Sequence, residues 1–178
     1  VAVSMLDEAD GFDQKIEQSS DPITLARGRL EGAPFPKLVA GSTPRTKGLS
    51  HIEYREDHAD ARMVYHITCP HCSAEHPLLW GGSKVVHGFK WDGSDIATVR
   101  HVCPHCRGSI TQADYLRIWD VDAMWVSSCG RFRYNHHARR WTNEHGDAIT
   151  APRHVAFHVW TAYSPQRSWS DIVREFLE

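Results

Sequence analysis

Apolar residues come in short runs along this chain, each closed by a turn signal or a cluster of charge. Val1 to Leu6 is nearly continuous in apolar character, the pattern of a strand buried on both faces of a parallel sheet. It stops at Asp7-Glu8-Ala9-Asp10 and Gly11, and residues 13–20 are polar and read as a loop. A helix starts at Asp21-Pro22, with Asp as N-cap and Pro at the first helical position, and Ile23, Ala26 and Leu30 give it one apolar face. Gly32-Ala33-Pro34-Phe35-Pro36 breaks that helix, and Lys37 to Ala40 forms a second short strand running into Gly41-Ser42-Thr43-Pro44. Ser50-His51-Ile52-Glu53 is a capping box that opens a short helix to about His58.

The pattern then turns to β. Arg62 to Thr68 is a strand carrying Val64, Tyr65 and Ile67, and His76 to Trp80 is its expected return strand. Gly81-Gly82, Gly88 and Asp92-Gly93 mark turns, and Ile96 to Val102 forms the next strand. Thr111 to Asp114 is another capping box, leading a helix with Tyr115, Ile118 and Trp119 on one side. Ala123 to Cys129 reads as a strand, and Arg131 to Asp147 as a polar hairpin. Arg153 to Ala162 is a strand expected to rejoin the first sheet. Ser168 to Asp171 caps a last helix whose Trp169, Ile172, Val173, Phe176 and Leu177 form a stripe of core packing.

Length and composition narrow the class. The 178 residues suffice for one domain with a sizeable core, or one domain carrying a small insert. Apolar content of 41% and charged content of 24% are those of a globular protein. A net charge of −2 excludes a globally basic nucleic-acid binder and leaves only local patches. Arg131, Arg133, Arg139 and Arg140, mixed with Phe132, Tyr134 and Trp141, form one such patch, which a solvated hairpin explains as well. No apolar run has the length of a membrane span, and no signal peptide is visible. The chain opens inside a strand and closes inside a helix, as a piece of a longer protein would.

Four of the five cysteines fall into two copies of one phrase, Cys69-Pro70-His71-Cys72 and Cys103-Pro104-His105-Cys106. Two thiolates spaced Cys-x-x-Cys on a tight turn face one metal ion, and two such turns close a tetrahedral four-sulfur cage that suits structural zinc. The thirty residues between Cys72 and Cys103 require an elaborated hairpin. The alternative of disulfides needs strained bridges and an oxidising compartment that nothing in the chain indicates. His71 and His105 are substitute ligands in principle, although the doubled phrase favours sulfur. A closed four-thiolate site leaves no position for water, so this zinc is expected to be structural rather than catalytic. Cys129 has no partner and reads as a small buried residue; His136-His137 lack the separation of a zinc pair.

The chemistry-bearing candidate lies at the first strand. An apolar strand ending in Asp7-Glu8 is the Walker B arrangement, in which one acid holds the magnesium of a bound nucleotide and the next orients the attacking water. Asp7 is assigned to magnesium and Glu8 to water. Ser42 and Thr43 follow the second strand, where hydroxyls can sense a terminal phosphate. The bland readings are solvated acids and an ordinary turn. A helicase fragment and a non-enzymatic zinc-ribbon module for nucleic acid share some of these features.

In order, the stretches VAVSMLDEADGFDQKIEQSSDPITLARGRLEG, KLVAGSTPRTKGLSHIE, CPHC and VAFHVWTAYSP with its following Trp-bearing helix resemble the large terminase subunit of tailed phages, of the lambda type. The resemblance covers nearly the whole chain and is weak over residues 84–96 and 131–150. It implies an α/β fold: part of a P-loop NTPase parallel sheet of the RecA/ASCE kind, with an inserted β-rich zinc ribbon. The expected division is 1–62 for the Walker B and coupling part of the core, 63–111 for the ribbon and 112–178 for a return to the core. It implies an ATP-driven motor that packages double-stranded viral DNA into a preformed capsid in the host cytoplasm. It also implies an endonuclease, a small terminase subunit and a portal protein as partners, a homo-oligomeric motor, and no membrane. Carried over by position, Asp7 and Glu8 match Walker B, Ser42 and Thr43 the coupling motif, and Cys69, Cys72, Cys103 and Cys106 the ribbon cysteines. The implied cofactors are ATP, Mg2+ and structural Zn2+. The sequence departs from the full pattern, because Gly41-Ser-Thr-Pro-Arg-Thr-Lys47-Gly lacks the second Gly of a phosphate loop. The phosphate loop is expected before Val1 and the nuclease domain beyond Glu178, so this piece alone is expected to be inactive.

Overall fold

The computed structural model describes residues 2–12, 21–121 and 123–178. Val1 and the expected loop over 13–20 lie outside them. The chain folds as two compact units, Val1–Asp60 and Ala61–Glu178.

In the first unit, β1 (Ala2–Leu6) pairs in parallel with β2 (Pro36–Ala40), in a register that sets Leu6 opposite Ala40. Between them lies α1 (Pro22–Gly28), whose Asp21 cap accepts from the Ile23 and Thr24 amides at 3.0 Å each. Pro22, Ile23 and Ala26 are its buried residues. Helix α2 (His51–Asp57) ends the unit, and its Arg55 reaches back to Asp21 at 3.2 Å. Burial alone raises the Asp21 carboxyl, but Thr24 and Arg55 outweigh it and hold the group below the usual carboxylate value. Ser50 accepts from the Glu53 amide at 3.0 Å, whereas the Glu53 carboxylate accepts from the Gly48 amide at 2.7 Å. The expected reciprocal box is therefore replaced by a wider loop clasp. The expectation that β1 is buried on both faces also needs correction: its side chains alternate, leaving Val3 53% and Met5 76% exposed.

The second unit is built on β3 (Ala61–Thr68), whose even alternation buries Ala61, Met63, Tyr65 and Ile67. One edge of β3 carries β8 (Met124–Ser127) antiparallel; the other carries β4 (Glu75–Pro77) antiparallel and β11 (Val155–His158) parallel, in tandem. The order continues from β8 to β9 (Arg133–Asn135) and β10 (Arg140–Thr142). A separate sheet holds β5 (Gly88–Asp92), β6 (Asp95–Val102) and β7 (Ser109–Ile110), all antiparallel. Strand β11, expected to rejoin the sheet of β1, pairs instead with β3. Strand β4 is shorter than expected because the next two amides donate to side chains: Leu78 N–H to Tyr163 Oη at 2.9 Å and Leu79 N–H to His101 Nε2 at 3.0 Å.

Two helices cover this unit. Helix α3 (Gln112–Ile118) starts with the full Thr111–Asp114 capping box, and α4 (Trp169–Leu177) is capped by Ser168. Gln112 of α3 accepts from the Trp169 amide and donates to the Arg167 carbonyl, both at 2.9 Å, so α3 satisfies the entry to α4. The segment around Trp160 and Tyr163 fills the core. Tyr163 donates to the Tyr65 carbonyl, Tyr115 donates to the Tyr163 carbonyl and Trp169 Nε1 donates to the Ala162 carbonyl. Buried aromatic rings thus supply apolar area while their polar tips satisfy backbone that the short strands leave unpaired.

Cys129 does not fit its expected burial. It lies exposed in the turn after β8, where Gly130 takes φ +78°. Ser127 and Arg131 hydrogen-bond its sulfur and lower the thiol to about 7.

The fold is mixed α/β. Its parallel pairs among the described residues are β1–β2 and β3–β11, so a multi-stranded parallel P-loop sheet is not seen in them. Most strands join through tight turns, which pair neighbours antiparallel. Among the described residues no helix is long and apolar enough to cross a membrane.

Candidate functional site

Parallel pairing sends β1 and β2 out at the same end, and their exits are stitched together. The Gly41 amide donates to the Leu6 carbonyl at 2.9 Å and the Ala9 amide to the Gly41 carbonyl at 3.1 Å. The Asp10 amide then donates to Ser42 Oγ at 3.0 Å. Asp7, Glu8, Ser42 and Thr43 are therefore brought together at one strand end. Asp7, Glu8 and Thr43 are exposed and Ser42 is half-buried. Glu8 sits in the left-handed region at φ 52°, its amide held by Asp7 Oδ1 at 3.0 Å. A non-glycine residue there carries local strain on the order of 1 kcal/mol, which the stitched exits hold in place.

Asp10, which the sequence reading left without a role, organises this corner. Its carboxylate accepts from the Ile52 amide at 3.0 Å and the Arg45 amide at 3.3 Å. Burial raises this carboxyl, and hydrogen bonds from Ser50, Ile52 and Arg45 outweigh the effect and keep it below its usual value. Asp10 thus joins the hydroxyl turn to the first turn of α2. The Asp-Glu-Ala-Asp spacing was the available signal, but its partner at Ile52 is set by the tertiary fold.

The cysteines form a second constellation, with a local two-fold symmetry. In each knuckle the first cysteine's amide and carbonyl close the turn: Cys69 N–H to Ala74 O and Ser73 N–H to Cys69 O, then Cys103 N–H to Gly108 O and Arg107 N–H to Cys103 O. The residue after each second cysteine is left-handed, Ser73 at φ 59° and Arg107 at φ 62°. Amides of His71, His105 and Gly108 point at Cys69, Cys103 and Cys106 sulfur at 3.3–3.4 Å. Ile67 faces His76 across one hairpin and His101 faces Ile110 across the other. His76 and His101, at non-equivalent positions of the two hairpins, are stacked at 5.3 Å and fully buried. Burial pushes His101 down to about 3 and lowers His76, so both rings are neutral packing groups.

All four sulfurs lie within 4.8 Å of one another. Cys69 and Cys106 are 3.8 Å apart and Cys72 and Cys103 3.9 Å apart. A zinc–sulfur bond of about 2.3 Å gives a tetrahedron with edges of about 3.8 Å. Disulfides are excluded by the same distances, since a bonded pair sits near 2 Å. Burial pushes the Cys69 thiol up to about 12. Gly108 admits the His71 ring: a Cβ there falls 2.5 Å from His71 Cδ2, and the ring donates from Nε2 to the Ser109 carbonyl at 2.8 Å.

The family model for the phage terminase large subunit gpA, ATPase domain, matches residues 1–125. The chain belongs to that family. Over its whole length it is 33% identical to a terminase large subunit of Escherichia phage lambda and 32% identical to one of Enterobacteria phage P21. It spans 27% of the length of each of these relatives. No solved structure matches the chain. The region matched to the terminase ATPase domain contains the acidic strand tip, the hydroxyl turn and all four clustered cysteines.

Proposed function

We propose that this chain is the Walker B and coupling part of the ATPase domain of a large terminase subunit, within a motor that drives double-stranded viral DNA into a preformed capsid. The observation that carries this reading is the Leu6–Ala40 register, which makes the acids and the hydroxyls neighbours at one strand end. A γ-phosphate can touch both only if they leave the sheet side by side. Asp7 is the magnesium ligand and Glu8 the residue that orients or deprotonates the attacking water. Ser42 and Thr43 sense the terminal phosphate. Ser42 reads out through the Asp10 amide, and the Asp10 carboxylate holds the start of α2 at Ile52. Loss of phosphate at the hydroxyl turn is thereby passed to the first turn of α2.

Val3, Met5 and Val39 leave apolar side chains open on β1 and β2. Parallel sheets are ordinarily covered on both faces, which supports a larger P-loop sheet as the setting of these two strands. Cys69, Cys72, Cys103 and Cys106 hold a structural zinc, which fastens the two knuckles and takes no part in hydrolysis. The whole subunit binds ATP and Mg2+, cuts DNA with a separate nuclease domain, and works as an oligomer with a small subunit and a portal protein in the host cytoplasm.

The test uses the full-length protein. Glu8→Gln keeps the shape and removes the charge, so nucleotide affinity stays within a few-fold while turnover falls by about 10²–10⁴, the size of a lost general base. Near-normal turnover in that variant overturns the assignment of Glu8.

A further inference from the structure

Asp120, His136 and His137 form a group separate from the four thiols and have no part in the function above. Asp120 follows α3, while the two histidines open the turn between β9 and β10. Both imidazoles turn Nε2 toward the same carboxylate: His136 lies 2.7 Å and His137 3.4 Å from Asp120 Oδ1. His137 Nε2 also meets the Asp120 carbonyl oxygen. One ligand atom from each of the three residues lies within 4.8 Å of the other two.

Neighbours hold both sides of this cluster. The Tyr65 hydroxyl donates to the Trp119 carbonyl at 2.7 Å, which fixes the backbone just before Asp120. The Asn135 side chain accepts from the Ala138 amide at 2.8 Å and shapes the histidine turn, and the Tyr134 ring lies tilted against Trp141 across the hairpin, 4.9 Å between centroids. His136 Nδ1 is buried and finds no partner among the described residues, so Nε2 carries the ring's polar recognition. Asp120 and His136 stand on the wall of a cavity of about 330 Å³, otherwise lined by aromatic and apolar groups such as Tyr65, Trp119 and Trp125.

We infer that Asp120, His136 and His137 form a second metal site, for a first-row divalent cation of the zinc, cobalt or nickel kind. His136 Nε2 meets the Asp120 carboxylate and His137 Nε2 its carbonyl, and once each Nε2 gives up its proton the two imidazoles and the carboxylate make a 2-His-1-carboxylate donor set. Bonds of about 2.0–2.2 Å put neighbouring donors about 3.0–3.5 Å apart. The His137 spacing already fits, and the His136 spacing needs to open by a few tenths of an ångström. Imidazole donors disfavour calcium and magnesium. Three protein ligands leave a position for water or an oxygen ligand, and two of the three stand on the cavity wall. The cation ties the β9–β10 turn to the end of α3.

The test is a Co2+ titration of the 178-residue chain after its cysteines have been filled with Zn2+. The expected result is one further equivalent of Co2+ with d–d absorption and no thiolate charge-transfer band. His137→Asn and Asp120→Asn each weaken that step by at least about tenfold, the loss that even an outer-sphere change causes at metal sites. His137 is 51% exposed, so its replacement spares the fold, and one retained zinc per chain verifies this. No second equivalent, or one that survives both substitutions because it sits on other histidines, overturns the proposal.

Discussion

Gly108→Ala is the sharpest probe of the knuckle geometry. The added methyl carbon falls 2.5 Å from His71 Cδ2, 2.8 Å from Cγ and 3.1 Å from Cβ. No carbon pair tolerates 2.5 Å, so the ring must swing away. His71 then loses its 2.8 Å bond to the Ser109 carbonyl, worth about 0.5–1.5 kcal/mol, and the first knuckle is pushed from the second. Overpacking of this kind costs about 1–3 kcal/mol. Read through metal affinity, that is about 5–150-fold weaker binding at ~1.4 kcal/mol per tenfold. The assay is competition with a chelator, combined with thermal melting, in four proteins: wild type, Gly108→Ala, His71→Ala and the double variant. His71 is exposed, so its truncation alone costs little more than its hydrogen bond. In the His71→Ala background the methyl has room, and Gly108→Ala becomes nearly neutral. Equal losses from Gly108→Ala in both backgrounds would refute the contact as the cause.

Chelation of the metal is expected to melt the sheet of β5, β6 and β7, since structural zinc contributes on the order of 10 kcal/mol of apparent folding free energy in small domains. Elemental analysis that finds no zinc in freshly purified protein contradicts the four-thiolate reading. Tyr163→Phe removes the acceptor of the buried Leu78 amide and the donor to the Tyr65 carbonyl, at a cost of about 2–4 kcal/mol in denaturant unfolding; a loss under about 0.5 kcal/mol contradicts the bridging role. Burial lowers His66 to about 4, against about 6.5 when unfolded. The folded form stays neutral while the unfolded chain takes up a proton, so stability is lost as pH falls from about 6.5 to about 4. His66→Gln is expected to remove roughly 1–2 kcal/mol of that acid-side loss, discounted for the ring's partial solvent access, and melting curves that fall equally with pH in both proteins contradict it.

What the sequence revealed and what it hid divide along local and distant contacts. The doubled Cys-Pro-His-Cys phrase specified the four-sulfur cluster because each knuckle closes within six residues, from Cys69 to Ala74 and from Cys103 to Gly108. The caps at Asp21, Thr111 and Ser168 were equally readable, since each is satisfied within three residues. The end of β4 was not, because Tyr163 and His101 take the next two amides from far along the chain. Strand β11 looked like a return to the first sheet, yet its pattern carries no information on which strand it meets. His136-His137 read as neighbours too close for a zinc pair; that their rings converge with the Asp120 carboxylate is a fold-dependent contact that spacing does not show. Cys129 follows a buried strand and was read as buried with it, but the chain has already turned outward there.

The most direct measurement is a structure of the full-length protein with Mg2+ and a non-hydrolysable ATP analogue. The account predicts the Asp7 carboxylate in the magnesium shell, directly at about 2.1 Å or through one bound water. It also predicts Glu8 beside the water in line with the γ-phosphate, and a Ser42 or Thr43 hydroxyl within hydrogen-bond reach of that phosphate. A bound nucleotide whose γ-phosphate meets neither strand end contradicts it.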